Sequence, residues 1–424
     1  MDINNYLDTF FKGTKDPSLD AMKYFMEEFK HPEGRLKFIH IAGTNGKGSC
    51  TEMMSNILVK AGYKVGKFLS PHLIKYNERI SINGNCITDS EMEELIKLIQ
   101  PKIEKYNANS KVNVTLFELE TTMALLYFAK NKCDFVVLEV GLGGIYDCTN
   151  IVKPLVSIIN SIGYDHMHLL GDTLKEIAYN KAGIIKENSE TVFLEQEHEV
   201  NEVIISKCKE MNNQLHLLKE SDIKNYTFNA DYQKIDYKNY KDILINLKGE
   251  KQIYNAILCL ETVDILKNEY KISDNSIYEG LKSVIHHARF EKLLDNPTII
   301  YDGAHNEPAI KNFNKSLEMY YADKEKVFIV SILNTKDYKS ILKNLMTDDS
   351  AIYIFTSGND ATRYTSKDDL YSEAKKIGVY KQIYKKELSE SIDFAIDSYK
   401  NSIIFIVGSF YIYGDVVSKI DTLR

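Results

Sequence analysis

A glycine-rich turn between a strand-like run and a helix-like run constrains this chain more than any other feature. The segment His40-Ile41-Ala42-Gly43-Thr44-Asn45-Gly46-Lys47-Gly48-Ser49 continues the apolar run Leu36 to Ala42, which reads as a buried strand. Beyond it Met54, Ile57, Leu58 and Ala61 recur at helical spacing, and Gly62 closes the pattern. Glycines let backbone N–H groups turn towards an anion, and a helix N-terminus adds its dipole. Lys47 supplies a point charge and Ser49 a hydroxyl able to ligate Mg²⁺. The pattern predicts a phosphate cradle built from Gly43, Thr44, Asn45, Gly46, Lys47, Gly48 and Ser49, with ATP as its occupant. Its spacing departs from the strict G-x-x-x-x-G-K-[ST] form, because Gly43 and Gly46 stand close together and Gly48 separates Lys47 from Ser49. Strand context, three glycines, Lys and Ser together favour the cradle over an ordinary glycine-rich turn with a solvated lysine.

At 424 residues the chain is too long for one ordinary core, so two domains are expected. A net charge of −7 argues against a nucleic-acid partner held by a general basic surface. Cys50, Cys86, Cys133, Cys148, Cys208 and Cys259 are scattered without a C-x-x-C pair, as reduced core thiols would be. Met1 to Asn5 shows no basic region leading into an apolar one, and no apolar run approaches membrane-spanning length. A cytoplasmic monomer acting on small molecules, with no membrane partner, is the expectation.

Strand and helix patterns alternate along most of the sequence, which implies α/β layering around a mainly parallel sheet. Strands are expected to end near Leu69 and to cover Asp134–Val140 and Leu155–Asn160, with a polar loop over Ser70–Arg79. Thr88 and Glu91 fit a capping box opening a helix. Helical patterns fill Thr173–Gly183, Val200–Met211, Tyr254–Leu266 and Ser276–Val284, and Tyr226–Leu247 reads as a small antiparallel piece. After Ile285-His286-His287-Ala288-Arg289 a fresh series starts, with strands at Thr298–Asp302, Lys326–Ser331, Ala351–Phe355 and Ser402–Val407. The expected architecture is an N-terminal P-loop-type nucleotide-binding domain over 1–286 and a smaller, doubly wound α/β C-terminal domain over 287–424.

Several polar residues fall where such sheets collect ligands. Glu139 ends the strand DFVVLEV before Gly141-Leu142-Gly143-Gly144 and is placed to hold Mg²⁺. Asp165-His166 follows the next strand, although chemistry alone equally lets His166 orient neighbours or cap a helix, and His168 competes with it. Lys181, late in a helix, reads by itself as a cation favoured by the macrodipole. Arg289 and the turn Tyr301-Asp302-Gly303-Ala304-His305-Asn306 could present side chains to a nucleotide or an acyl phosphate, or form an ordinary Asx-type turn.

Taken in order, IAGTNGKGS (41–49), FLSPHLIKYNERISING (68–84), FELETTMAL (117–125), EVGLGGIYDCTN (139–150), DHMHLLGDTLKEIAYNKAGI (165–184), DGAHN (302–306) and VGSFYIYGDV (407–416) resemble the folylpolyglutamate synthase and dihydrofolate synthase family of the Mur ligase superfamily. The resemblance implies ATP-dependent amide formation between a folate or dihydropteroate carboxylate and the amine of L-glutamate, through an acyl phosphate. It implies two Mg²⁺ sites, with Ser49 and Glu139 at one and His166 at the other, and with Lys181 carbamylated to face the second metal. Lys47, Lys181 and His166 would then be catalytic. Asn255 resembles the adenine contact, Arg289 a phosphate contact, and Asp302 and His305 further nucleotide contacts. Ser70, Pro71, His72, Tyr76 and Arg79 belong to the substrate loop, and Asp147 matches the pterin contact of dihydropteroate-accepting relatives.

Three positions depart from the family pattern. Ile145 replaces a usual arginine, Glu307 replaces a usual proline, and His287-Ala288-Arg289 stands where proline-glycine-arginine is common. A peptidoglycan-type amino-acid ligase of the same superfamily is a second possibility, opposed by the SPHLIKYNERI loop and the DCTN segment. A nucleotide-binding module without turnover is a third, encouraged only by Ile145.

Overall fold

The computed structural model describes residues 3–12, 18–229, 232–358, 362–378 and 383–423. They divide into two compact units: Met1–Tyr226 with Lys234–Ile245 and Tyr254–Val284, and Thr227–Gln233 with Asn246–Ile253 and Ile285–Arg424.

The first unit is organised by strands β1 (Phe38–Ala42), β2 (Val65–Phe68), β3 (Ile80–Ile82), β4 (Asn85–Cys86), β5 (Phe135–Glu139), β6 (Pro154–Ile159), β7 (Glu190–Leu194) and β8 (Gln214–Leu218). They form one sheet of order β4-β3-β2-β5-β1-β6-β7-β8, parallel from β2 to β8, with β3 and β4 antiparallel at one edge. Every residue of β1 and β5 is buried, as expected of central parallel strands covered on both faces.

The helix Lys47–Lys60 carries the chain from β1 leftward to β2, whereas Leu174–Lys181 and His198–Glu210 carry it rightward from β6 to β7 and β8. Right-handed crossovers therefore put these connections on opposite faces, and the reversal falls at β1. The carboxyl ends of β1, β5 and β6 open the crevice where such sheets bind ligands. Phe38, Val136 and Leu138 pack on one side against Met92, Ile96, Leu119 and Met123 of the helices Asp89–Asn109 and Leu116–Lys130. Thr88 caps the first of these helices: its backbone N–H donates to Glu91 Oε2 at 2.9 Å, and the Glu91 N–H donates to Thr88 Oγ1 at 3.2 Å. Helix boundaries move slightly from the expectation around Lys181, where Leu174–Lys181 gives way to a tighter turn, Ala182–Ile184.

Strands β9 (Ile223–Phe228), β10 (Gln233–Tyr237) and β11 (Tyr240–Ile245) make a separate three-stranded sheet of order β11-β10-β9. β10 and β11 are joined by only Lys238 and Asn239, the short connection of an antiparallel hairpin.

The second unit contains β12 (Glu291–Asp295), β13 (Thr298–Asp302), β14 (Lys326–Val330), β15 (Ile352–Phe355), β16 (Ile383–Lys385) and β17 (Ile403–Val407), ordered β12-β13-β17-β14-β15-β16. Only the β12–β13 pair is antiparallel. The chain runs β13 to β16 in one direction and then returns to insert β17 between β13 and β14, which is a doubly wound topology. Its reversal lies at the carboxyl ends of β13 and β17, where DGAHN and VGSFYIYG begin.

Candidate active site

β1 ends at Ala42, and the chain turns through Gly43 at φ +153° and Gly46 at φ +89° into the helix beginning at Lys47. Both glycines are required by geometry. A Cβ on Gly43 would lie 2.7 Å from Asn160 Cβ, and one on Gly46 would lie 2.6 Å from Asn255 Oδ1. The turn is anchored to the segment after β6: Thr44 N–H donates to Ser161 O at 2.7 Å, Gly163 N–H donates to Thr44 Oγ1 at 3.0 Å, and Ser161 Oγ donates to Asn45 O at 3.2 Å. The backbone of Asn45, Gly46 and Lys47 is thereby preset around the helix N-terminus, where an anion is favoured by both N–H groups and dipole.

Two lysines meet at this turn. Lys47 Nζ donates to Gly43 O at 3.1 Å and Thr44 O at 3.3 Å, and Lys181 Nζ donates to the same Gly43 O at 2.8 Å. Lys181 is 4% exposed. Burial, with the Lys47 charge adding to it, pushes its amine down from 10.5 to about 7. Near pH 7 about half of the Lys181 amine is therefore unprotonated, unlike a solvated lysine.

Glu139, buried at the end of β5, accepts the Ser70 N–H at 2.8 Å and so ties the sheet to the Ser70–Arg79 loop. That loop is held from inside by Glu78, whose carboxylate accepts the N–H groups of Leu73, Ile74 and Lys75 at 2.7, 2.9 and 2.7 Å. Arg79 Nε donates to His72 Nδ1 at 2.9 Å and Arg79 Nη1 to Glu120 Oε2 at 2.8 Å. His72 and Tyr76 rings lie 4.4 Å apart, and Tyr76 Oη donates to Asp8 at 3.1 Å.

Asp147 is buried in the turn between β5 and β6. Its carboxylate accepts Leu142 N–H at 2.7 Å, Thr149 N–H at 3.0 Å and Thr149 Oγ1 at 2.5 Å; burial nevertheless raises its carboxyl above the ordinary range. Phe117 lies over Gly141 beside it, since a Cβ on Gly141 would meet Phe117 Cζ at 2.5 Å and Asp147 Oδ2 at 3.2 Å.

Asn255 is buried against the phosphate turn, where its Oδ1 accepts Asn160 Nδ2 at 2.8 Å. His166 adopts φ +49° at the start of the short helix Met167–Leu170, and its N–H donates to Asp165 Oδ1 at 2.9 Å. Its ring is half-exposed, 6.4 Å from that of His168. Ile145 meets Gly183: a Cβ there would lie 2.4 Å from Ile145 Cγ1, so this departure fills an apolar contact in the fold. Pro71 follows Ser70 through a cis peptide.

In the second unit Asp302 accepts Ala304 N–H at 2.8 Å and Phe290 N–H at 2.9 Å. Burial raises its carboxyl, and the Arg289 charge opposes that rise. The Arg289 guanidinium lies 4.4 Å from the Phe410 ring centre, and His305 meets the same ring edge-on at 5.1 Å. His305 Nδ1 donates to Gly303 O at 2.8 Å. Ala288, where glycine is common in the family, adopts φ +58°, a conformation glycine accepts more readily. Glu307 opens the helix Glu307–Tyr321 and accepts Ser340 Oγ at 2.9 Å.

Comparison with known proteins matches residues 41–263 to the Mur ligase middle domain and residues 287–419 to the dihydrofolate synthetase C-terminal domain. A Bacillus subtilis dihydrofolate synthase/folylpolyglutamate synthase is 34% identical over 436 positions, covering 99% of both chains. The chain belongs to this family. A crystal structure of Thermotoga maritima folylpolyglutamate synthase has a TM-score of 0.87 at 30% identity, covering 100% of this chain and 96% of that one. Escherichia coli FolC in complex with DHPP and ADP gives 0.83 at 26% identity, covering 99% and 97%.

The first unit brings Lys47, Lys181 and Asn255 together on the phosphate turn and separately pairs Glu139 with Ser70, while Arg289, Asp302 and His305 gather in the second unit. His40, Glu120, Thr149 and Asn160 escaped the sequence reading. Asn160 ends a buried strand, the same signal that marked Glu139. His40 sits inside an apolar run and Glu120 on a largely buried helix, and only their polarity at buried positions could have marked them.

Proposed function

We propose that this protein is an ATP-dependent ligase that joins the carboxylate of a folate to the amine of L-glutamate, and that it also accepts dihydropteroate. The observation that carries this is the convergence of Lys47 and the buried Lys181 on one carbonyl of the phosphate turn, in a chain whose relatives bear the names of both activities. The acceptor carboxylate attacks the γ-phosphorus of ATP and ADP leaves with its bonding pair. The glutamate amine, as the free base, then attacks the acyl carbon and phosphate departs. Asn45, Gly46 and Lys47 offer N–H groups and a cation to the phosphates, compensating charge without reorganisation.

Two Mg²⁺ ions are part of this proposal. The Ser49 hydroxyl and Glu139 carboxylate, both buried oxygen donors at strand and helix ends, suit a hard cation. An amine does not ligate Mg²⁺, but Lys181 held near pH 7 can add CO₂, releasing a proton and leaving a carbamate whose oxygens, with His166, would serve the second ion. When bound, Mg²⁺ would neutralise phosphate oxygens during transfer.

The family resemblance supports nucleotide contacts for Asn255, Arg289, Asp302 and His305, and acceptor contacts for Ser70, Pro71, His72, Tyr76, Arg79 and Asp147. It also supports an ATP-binding part over 1–286 and a C-terminal ligase part over 287–424. No helix among the described residues is long and apolar enough to cross a membrane; we place the protein in the cytoplasm as a monomer. Incubation with ATP, Mg²⁺ and glutamate should release ADP and phosphate only when tetrahydrofolate or dihydropteroate is added. Absence of acceptor-dependent release with either compound would overturn the proposal.

A further inference from the structure

A chain of three buried side chains runs from the middle of the parallel sheet to the Asp147 turn. His40 lies in β1, between Leu138 of β5 and Ser157 of β6, and is fully buried. Its Nε2 stands 2.8 Å from Thr149 Oγ1, and Thr149 Oγ1 stands 2.5 Å from Asp147 Oδ1. Thr149 is itself fully buried and Asp147 nearly so. A hydroxyl has one proton. A carboxylate oxygen can only accept, so the Thr149 proton goes to Asp147 and Oγ1 must accept from His40. The imidazole therefore carries its proton on Nε2. Burial pushes its pKa down to about 3, holding it neutral, and among the described residues its buried Nδ1 has no partner that would stabilise a second proton.

The consequence is directional. Asp147 Oδ1 is fixed by Thr149, through both its N–H and its hydroxyl, while Oδ2 is fixed by the Leu142 N–H. The carboxylate plane is set from two sides before any acceptor arrives. An unsupported Thr149 hydroxyl could rotate away from Asp147; with His40 donating to its oxygen, the proton is left pointing at Oδ1.

We infer that His40 is a positioning residue for acceptor binding, acting through Thr149 to set the orientation of the Asp147 carboxylate. This rests on the proposal that Asp147 contacts the pterin-bearing acceptor.

The test combines a spectroscopic readout of the intact protein with kinetics of four variants. In ¹⁵N-histidine-labelled protein, His40 should show a neutral ring protonated on Nε2, unchanged between pH 5.5 and 8.5. A ring protonated on Nδ1, or one that titrates in this window, would overturn the inference without any mutation. Thr149→Val and His40→Leu each delete a hydrogen-bonding group in the relay, and Thr149→Ser and His40→Gln retain one. Loss of one bond in a charge-assisted network predicts about a ten-fold rise in KM for dihydropteroate in the first pair. KM for ATP should be unaltered, and the second pair should stay within about two-fold of wild type. An equal loss across dihydropteroate and ATP, or no rescue by Thr149→Ser, would overturn it. Asp147→Asn separates the two levels. If that variant leaves the dihydropteroate KM unchanged, the acceptor role of Asp147 is wrong; if it raises KM while Thr149→Val does not, only the relay is wrong.

Discussion

Replacing Glu120 by glutamine should reshape the pH dependence of stability. Glu120 lies on the helix Leu116–Lys130 and is 2% exposed. Arg79 Nη1 donates to its Oε2 at 2.8 Å, but its Oε1 is buried without a hydrogen-bond partner among the described residues. Burial raises its carboxyl from 4.5 to about 7 against the opposing charges of Arg79 and Lys12. At 1.36 kcal/mol per pH unit, that rise corresponds to about 3 kcal/mol between the protonated and ionised forms. The folded state binds a proton that the unfolded chain has already released, so the contribution to stability is whole below pH 4.5 and is lost as pH rises to 7. Between pH 5 and pH 8 the wild type should lose about 2.5 kcal/mol relative to Glu120→Gln, which cannot ionise. Urea unfolding followed by far-ultraviolet circular dichroism at several pH values measures the difference, and other titrating groups cancel in it. If unfolding resolves into two transitions, only that of the first unit should respond. A wild-type-minus-variant difference that stays flat from pH 5 to 8 would refute the reasoning. Glutamine still offers Arg79 an acceptor oxygen; Glu120→Leu offers none, and should additionally raise the acceptor KM by loosening the Arg79–His72 contact.

Further outcomes are expected at three positions. Protein equilibrated with ¹³C-bicarbonate should show a carbamate carbon resonance that is missing in Lys181→Ala. Turnover of Lys181→Ala should fall by about two orders of magnitude or more with ATP binding largely kept, since removing a preorganised charged group costs transition-state stabilisation, and added bicarbonate should not restore it. Because the Lys181 amine stays near 7, carbamate occupancy at fixed dissolved CO₂ and low Mg²⁺ should rise with pH through neutrality, seen as growth of the same resonance. Gly46→Ala forces a Cβ to within 2.6 Å of Asn255 Oδ1 at φ +89°, and calorimetric titration with a non-hydrolysable ATP analogue should show at least about a ten-fold loss of affinity. Thr88→Ala should cost about 1 kcal/mol in urea unfolding, the usual worth of such a cap.

How much of this was legible follows from what each residue's signal depended on. The phosphate turn could be read because its function is local: strand, glycines, lysine and helix start are contiguous, and the backbone geometry they encode is the site. Glu139 could be read for the same reason, since a strand end in a parallel sheet is itself a location. The doubly wound C-terminal part was visible in the alternation of apolar runs, although insertion of β17 between β13 and β14 is set by crossover handedness and packing rather than by any one segment. The helix Leu116–Lys130 was hidden because it is buried almost all round and carries no polar stripe to betray its period.

Lys181 shows where local reading fails in kind. A lysine in the last turn of a helix is ordinarily a solvated cation complementing the dipole, and nothing within a few residues says otherwise. Its chemistry is set by burial and by the charge of Lys47, with which it shares the carbonyl of Gly43, 138 residues distant in sequence. The same holds for His40 and Thr149, 109 residues apart, and for Arg79 and Glu120, 41 apart. In each case a buried polar group owes its protonation state chiefly to burial, which only the completed fold imposes. Sequence pattern locates the crevice because the crevice belongs to topology. The proton on each side chain within it belongs to tertiary contact, and there the structure was needed.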